Sequence, residues 1–464
     1  MALSTISGPH GRHVFTDKNK SIIIPGEGHD AAPENMSATN PGAPRWHWWS
    51  RRNYTLFILT TVYALNIADR FVLGTLIEPI KAEFHLSDGG VAFLTGVALA
   101  IFYVAAGIPL GLLADRTNRR NMIAWALLLW SGFTLLCGFS QTYWHLLLAR
   151  IGVGVGEAGG TPPSQSLLAD EFPAASRGSA MSVFSIGSTM GAALGMAGAG
   201  WLTDLYGWRQ SLIVFGAIGL PLALLVRLSL REPVRGATDD IQRDAAVSTP
   251  GIVDTLRYIR AHAAILHVLL GATVVTFSGA GLLWWTSAFL MRFHGLSAGE
   301  AGMSLGIMSA AGGSLAMLGT AWVMVRLSSR DPRWQVWLVA LVSVAVIVPG
   351  VIAYSTHSLG IATLALWIFV PASCIYIGPT LALCQSLVPA EMRGQTVAIL
   401  LFTANIANLV VAPQLIGSAS DFIGPFLGDP HQSLRWVLVV CSFTGIWGGW
   451  HYYAAGRTIR EDIL

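Results

Sequence analysis

Twelve runs of mostly apolar residues, each long enough to cross a bilayer as a helix, govern what this chain can become. A spanning helix needs roughly 20 such residues, because the hydrocarbon core is about 30 Å thick and a helix rises about 1.5 Å per residue. The runs lie near 54–77, 90–113, 121–139, 145–168, 178–203, 208–230, 264–291, 298–326, 334–354, 359–388, 394–418 and 434–455. In lipid a backbone must satisfy its own polar groups, so runs of this length are read as helices. Composition agrees: 53% of residues are apolar and 11% charged, against about 25% charged in a soluble domain. So few charges could not cover a water-facing surface of this size.

The widest polar break, 231–263, has six runs on either side and includes an amphipathic stretch at 253–260. The expected layout is a tail over 1–53 without regular structure, a bundle over 54–230, a linker over 231–263, a bundle over 264–455 and a short tail over 456–464. The two bundles repeat. Gln165-Ser166-Leu167 returns as Gln385-Ser386-Leu387, Glu171 to Arg177-Gly178 returns shortened as Glu391 to Arg393-Gly394, and Thr203-Asp204 returns as Ser420-Asp421. The displacements are 220, 216 and 217 residues, close to half the chain. The fold class expected is all-α integral membrane, with twelve transmembrane helices in two pseudo-symmetric six-helix bundles. Duplicated bundles place a substrate site at the midplane between them.

Orientation follows from Lys and Arg in the short loops. Arg45, Arg51, Arg52, Arg116, Arg119, Arg120, Arg177, Arg231, Arg235, Arg243, Arg257, Arg260, Arg326, Arg330, Arg333, Arg393, Arg457 and Arg460 collect on one side; Lys81, Arg209, Arg292 and Arg435 lie on the other. Both termini and the linker are therefore expected in the cytoplasm, with Trp46, Trp48 and Trp49 as an interfacial belt. The net charge of +3 gives no reason to expect nucleic acid. Cys137, Cys374, Cys384 and Cys441 all fall in apolar segments, which suits packed thiols better than disulfides. No metal-ligand spacing or nucleophile–base pair appears at membrane depth, so no cofactor, metal or enzymatic chemistry is expected, and His267 is read as a packed or interfacial residue. The expected state is a monomer in the bilayer.

Four charges sit deep inside the apolar runs, away from their ends: Asp69 and Arg70 in the first, Arg150 and Glu157 in the fourth. Each costs on the order of 3 kcal/mol at the bilayer centre unless paired or wetted. Arg150 and Glu157, seven residues apart, share one helix face about 10 Å apart along the axis. The first run leads outward and the fourth inward, and by depth Asp69 and Arg70 fall between them. The expectation is that Asp69 meets Arg150 and Arg70 meets Glu157. These four are the candidate substrate-binding and coupling residues, and an ion-pair staple is the plainer alternative.

A second motif, Gly111-Leu-Leu-Ala-Asp115-Arg116-Thr-Asn118-Arg119-Arg120, fills the loop after the second run. It resembles the signature of the major facilitator superfamily, which usually has Gly where Asn118 stands; Asn also tolerates a left-handed backbone. The resemblance implies a cytoplasmic gate built from Asp115, Arg116, Arg119 and Arg120, with Glu171, Arg177, Glu391 and Arg393 at the matching loops. Gly154-Val155-Gly156-Glu157-Ala158-Gly159 matches a dinucleotide fingerprint in spelling alone, since it lies inside an apolar helix and not between a strand and a helix. Its glycines, like Gly187, Gly191, Gly195, Gly302 and Gly306, are read as close-packing positions.

Asn66-Ile-Ala-Asp69-Arg70, the loop motif and Arg150-Ile-Gly-Val-Gly-Val-Gly156-Glu157-Ala158 together resemble the spinster family of major facilitator carriers, most strongly over the first five helices. The resemblance implies a secondary transporter of lysophospholipid or sphingosine-1-phosphate-like lipid in a bacterial inner membrane. Arg70 would meet the anionic head group, Asp69 and Glu157 would take protons, and the nearly uncharged second half would face the acyl tail. Its mild polar groups are Thr273, Thr276, Thr286, Tyr376, Thr380, Asn405, Asn408 and Gln414. The alternatives are a proton-coupled carrier of small organic anions, which would favour a second cation in helices 7–11, and a sensor that shares the fold.

Overall fold

The structure is a computed structural model that describes residues 15–17, 20–22, 50–235, 250–428 and 430–462. Most of the tail, with its Trp belt, lies outside these residues, as do linker positions 236–249. Within the tail, Phe15–Asp17 pairs antiparallel with Lys20–Ile22.

The expected apolar runs form helices α1 (Arg51–Thr75), α2 (88–116), α3 (Arg119–Gly138), α4 (Tyr143–Glu157 and Thr161–Glu171), α5 (Ala174–Tyr206) and α6 (Trp208–Ser229). The second half forms α7 (Ala263–His294), α8 (Ala298–Ser328), α9 (Trp334–Ser355), α10 (Leu359–Ser386), α11 (Arg393–Leu427) and α12 (Pro430–Ser442 and Thr444–Asp462). Local chemistry sets the ends. Ser50, Ser87, Thr142 and Ser297 cap helix starts with side-chain oxygens. α7 stops at Gly295, whose φ of 69° is open to glycine at little cost. Asn118 departs from expectation: with φ at −73° it is not left-handed, and its Oδ1 caps α3 by accepting from the Asn121 amide at 2.9 Å. The amphipathic part of the linker is a helix, Ile252–Ala261.

Two helices are broken at matching places. α4 unwinds at 158–160, before Pro162 and Pro163, and α10 unwinds at 373–376, before Pro379. Proline lacks the amide that an unbroken helix would use. α2 and α8 also match, with π-helical turns at Phe93–Val97 and Met308–Gly312; α7 and α11 carry others at Phe277–Gly281 and Ile406–Val411. Such turns place one extra residue in a helix and recur at functional sites.

The glycine stripe of α5 lies on α1 within the first bundle. A Cβ at Gly187 would stand 2.7 Å from the Thr60 carbonyl and one at Gly195 2.5 Å from that of Ala68. Across the seam between bundles, α8 lies against α5 through Gly302 and Gly306, the latter 3.0 Å from the Ala193 carbonyl on the same measure. Also across the seam, Phe71 of α1 stacks on Trp284 of α7 at 5.6 Å.

We call the end of the bundles at which α1 begins and α12 ends the terminal face and the other the distal face. Lys81, Arg209, Arg292 and Arg435 are all engaged at the distal face. Lys81 pairs with Asp88, Arg209 with Glu83 at 2.6 Å, and Arg435 donates to the Tyr354 and Ser355 carbonyls. Arg292, from the second bundle, grips Asp88 with two nitrogens at 2.8 and 2.6 Å and Glu78 at 2.6 Å, both from the first.

Candidate functional site

The site begins with the seat of α1. Close contact with the glycines of α5 fixes its rotation and turns Asp69 and Arg70 toward α3 and α4. Asp69 is 2% exposed; its Oδ1 accepts from Thr134 at 2.8 Å and its Oδ2 from Arg150 at 3.3 Å. One residue along, Arg70 Nε donates to Glu157 Oε2 at 2.7 Å. The two pairings expected from helix depth are thus both present.

The four charges are not equivalent. Arg150 and Glu157 are fully buried, while the Arg70 side chain keeps 11% of its surface accessible. The Arg70 guanidinium also lies 4.9 Å from the ring centre of Tyr103 on α2. Arg70 is therefore the member that a molecule could reach, with Glu157 and the Asp69–Arg150 pair buried behind it. Glu157 Oε1 has no hydrogen-bond partner among the described residues, so this carboxylate can accept more than Arg70 gives it.

Glu157 ends the first part of α4, and the chain unwinds immediately after it. The surrounding glycines make room, as expected. A Cβ at Gly154 would stand 2.5 Å from the Leu99 carbonyl, at Gly156 2.7 Å from the Trp130 amide, and at Gly160 3.0 Å from the Trp130 ring. The run that spells a dinucleotide fingerprint is thus helix followed by break, wedged between α2 and α3. Thr134, Tyr103 and the α4 break were not foreseen. Pro162-Pro163 after Gly159-Gly160 was the available sign of the break.

The gating candidates scatter more widely. Arg119, 2% exposed, binds Asp170 at 2.5 Å, Glu232 at 2.7 Å and Ser166 Oγ at 2.9 Å. Arg120 donates to the Leu230 carbonyl at 3.3 Å and to Asn121. These bonds tie α3 to α4 and to the segment after α6, inside one bundle. Glu171 faces Arg51 at 3.7 Å, and Arg177 donates to the Phe172 carbonyl at 3.4 Å. Arg116, Glu391 and Arg393 are exposed. The side chain of Asp115 lies outside the described residues.

In the second half, the mild polar groups mostly join helices. Thr273 bonds Thr403, Thr276 bonds Tyr376, Thr286 bonds Tyr354, Thr380 bonds Tyr452, and Trp284 Nε1 donates to Asn408. Gln414 instead crosses the seam to the Gly89 carbonyl at 3.3 Å. His267 is packed, as expected, and its Nδ1 meets that of His451 at 2.9 Å. The four cysteines are free.

Comparison with known proteins agrees with this architecture. The profile described as Major Facilitator Superfamily matches residues 59–412. An MFS-type efflux pump of Mycolicibacterium smegmatis is 31% identical over 409 residues, spanning 88% of this chain and 93% of that protein. Protein spinster homolog 1 of Xenopus tropicalis is 28% identical, spanning 88% and 81%. The sphingosine-1-phosphate transporter SPNS2 of Danio rerio is 26% identical, spanning 87% and 84%. A crystal structure of a bacterial homolog of the human lysosomal transporter spinster, inward-facing and unoccupied, superposes with a TM-score of 0.82 at 28% identity, covering 90% of this chain and 99% of that one. With helices α1–α12 in two related bundles and buried charges on α1 and α4, the chain belongs to the Major Facilitator Superfamily and is an integral membrane transporter of the spinster type.

Proposed function

We propose that this transporter moves an amphipathic lipid with an anionic head and one apolar tail, of the lysophospholipid or sphingosine-1-phosphate kind, by alternating access. The observation that carries the reading is the accessible Arg70, backed by Glu157 and Tyr103 in the first bundle, opposite a second bundle whose membrane-depth groups are mostly apolar or mutually bonded. A guanidinium beside an apolar wall suits a molecule with one charged end. The likeness to a sphingosine-1-phosphate transporter supports the same class.

Proton coupling follows from the same pair. When the head group takes Arg70, Glu157 loses its counter-charge while still buried, and protonation then relieves an otherwise unpaired carboxylate. Return of Arg70 to Glu157 expels the proton. Asp69 serves as a second buried carboxylate, held by Arg150. Asp115, Arg116, Arg119, Arg120, Glu171, Arg177, Glu391 and Arg393 form the gate at the terminal face, which the loop arginines assign to the cytoplasm. The protein works as a monomer in a bacterial inner membrane.

The test is transport into liposomes, comparing lysophospholipid and sphingosine-1-phosphate with small organic anions. Lipid flux that Arg70→Ala abolishes and an imposed pH gradient drives would bear out the reading. Flux of organic anions alone would replace it with the small-anion carrier. Lipid flux indifferent to the gradient, with Glu157→Gln fully active, would remove the coupling and leave the substrate class standing.

A further inference from the structure

Thr203-Asp204 near the distal end of α5 and Ser420-Asp421 near that of α11 are duplicated dipeptides whose aspartates do matching work. The first residue of each bonds a serine of its own bundle, and Ser420 Oγ also donates across the seam to Asp88 Oδ2 at 2.7 Å. Thr203 Oγ1 lies 2.9 Å from Ser211 Oγ on α6, and Ser420 Oγ lies 2.9 Å from Ser433 Oγ on α12.

The second residue of each crosses the seam to the start of a helix. Asp421 Oδ1 accepts from the Asp88 amide at 2.8 Å and Oδ2 from the Gly89 amide at 2.7 Å. Asp204 Oδ2 accepts from the Gly299 amide at 3.0 Å and from Ser297 Oγ at 2.6 Å. Asp88 and Gly89 open α2; Ser297 and Gly299 open α8, its counterpart in the duplication. In both helices a local serine takes a later amide, Ser87 from Gly90 and Ser297 from Glu300, each at 3.1 Å. The first turn of a helix leaves such amides unpaired, and its dipole favours a carboxylate there.

Gly89 and Gly299 occupy the same helical position and serve the same end. A Cβ on Gly89 would stand 3.1 Å from Asp421 Oδ2, and one on Gly299 would collide with Asp204 Oδ2. Both carboxylates reach their amides because the position beneath them has no side chain.

The geometry points to Asp204 and Asp421 as a symmetric pair of gating residues, each latching a helix start of the opposite bundle and each releasing when the distal face opens. Opening must part α5 from α8 and α11 from α2, so each carboxylate exchanges its protein donors for water. The preceding Thr203 or Ser420 stays bonded to its own bundle, while Ser420 gives up its bond to Asp88. The Arg292 grip on Asp88 reinforces the Asp421 latch.

The inference rests on the alternating-access reading, and one experiment separates the two. The full chain, with its four cysteines replaced by alanine, carries spin labels at Trp144 and Leu359, exposed positions near the distal ends of α4 and α10. Pulsed dipolar spectroscopy in nanodiscs reads the distance with and without lysophospholipid. Asp204→Ala and Asp421→Ala should each raise the open-to-closed ratio of the distal face about tenfold, the size expected from losing a hydrogen bond to a charged acceptor. Gly299→Ala should do the same with both aspartates intact, by holding Asp204 off its amide. If the wild type visits two distances and none of these variants changes their ratio, the latch is overturned. If wild type and variants alike hold one distance whatever lipid or pH is supplied, the alternating-access reading fails with it.

Discussion

Arg150 Nη1 meets Asp69 Oδ2 at 3.3 Å, and both side chains are buried among α1, α3 and α4. Taking one partner from a buried pair leaves the other charge stranded, which costs about 3–5 kcal/mol, whereas replacing both is often close to neutral. Arg150→Met is therefore expected to lower the thermal midpoint sharply, and Asp69→Asn combined with Arg150→Met to recover most of the loss. Unfolding of the purified protein followed by tryptophan fluorescence decides this. An Arg150→Met protein as stable as wild type would show that the pair contributes little to folding.

The neighbouring pair separates stability from recognition. Arg70→Glu or Glu157→Arg alone places like charges where Arg70 Nε and Glu157 Oε2 are 2.7 Å apart. Each single change is expected to destabilise, and the double exchange to restore folding. Transport of a phosphorylated lysolipid should stay impaired in the double exchange, because the accessible cation has moved from α1 to α4. Melting curves and liposome flux on the same four proteins read the two outcomes separately. A double exchange that recovers no stability would argue against a direct pairing.

Much of this arrangement was legible in the sequence because it follows from periodicity and depth. Apolar runs located the helices, and seven-residue spacing put Arg150 and Glu157 on one face, opposite Asp69 and Arg70. What was not legible depends on contacts between distant segments. Tyr103 is one aromatic among many until α2 turns it toward Arg70. Arg292 reads as a loop charge that sets orientation; that it joins Lys81 on Asp88 depends on how α2 and α7 meet. The Thr203-Asp204 repeat betrayed duplication, but nothing in the dipeptide says that the aspartate caps a helix of the other bundle. The π-helical turns have no residue signature of their own.

The α1–α5 contact gives a third prediction. A Cβ at Gly195 would stand 2.5 Å from the Ala68 carbonyl, directly beside Asp69 and Arg70. Gly195→Val forces the two backbones apart, and overpacking of this kind costs about 1–3 kcal/mol. Displacing α1 also moves Arg70 from Glu157, so flux is expected to fall more than stability does. Gly319→Ala is the control, since a Cβ there meets nothing within 4 Å. Equal behaviour of the two variants in flux and melting assays would mean that the glycine stripe does not position the charges.

Outside the membrane, Glu83 supplies an acid-sensitive tie. Its Oε2 accepts from Arg209 at 2.6 Å and from Trp208 Nε1 at 2.8 Å. The hydrogen bond from Arg209 is the main reason its carboxyl sits below the usual glutamate range, partly offset by desolvation. A carboxyl lowered by folding adds stability that is complete above its unfolded pKa and disappears as pH falls through the folded one. The group is largely exposed, so solvent screening keeps the effect small. Glu83→Gln retains an acceptor for Trp208 but removes the charge. The variant should melt slightly below wild type at neutral pH, and the gap should close on titration to about pH 3, below the glutamate range. Thermal midpoints measured across that titration decide the matter: a gap that persists at low pH would assign the effect to packing against Trp208 and not to the ion pair with Arg209.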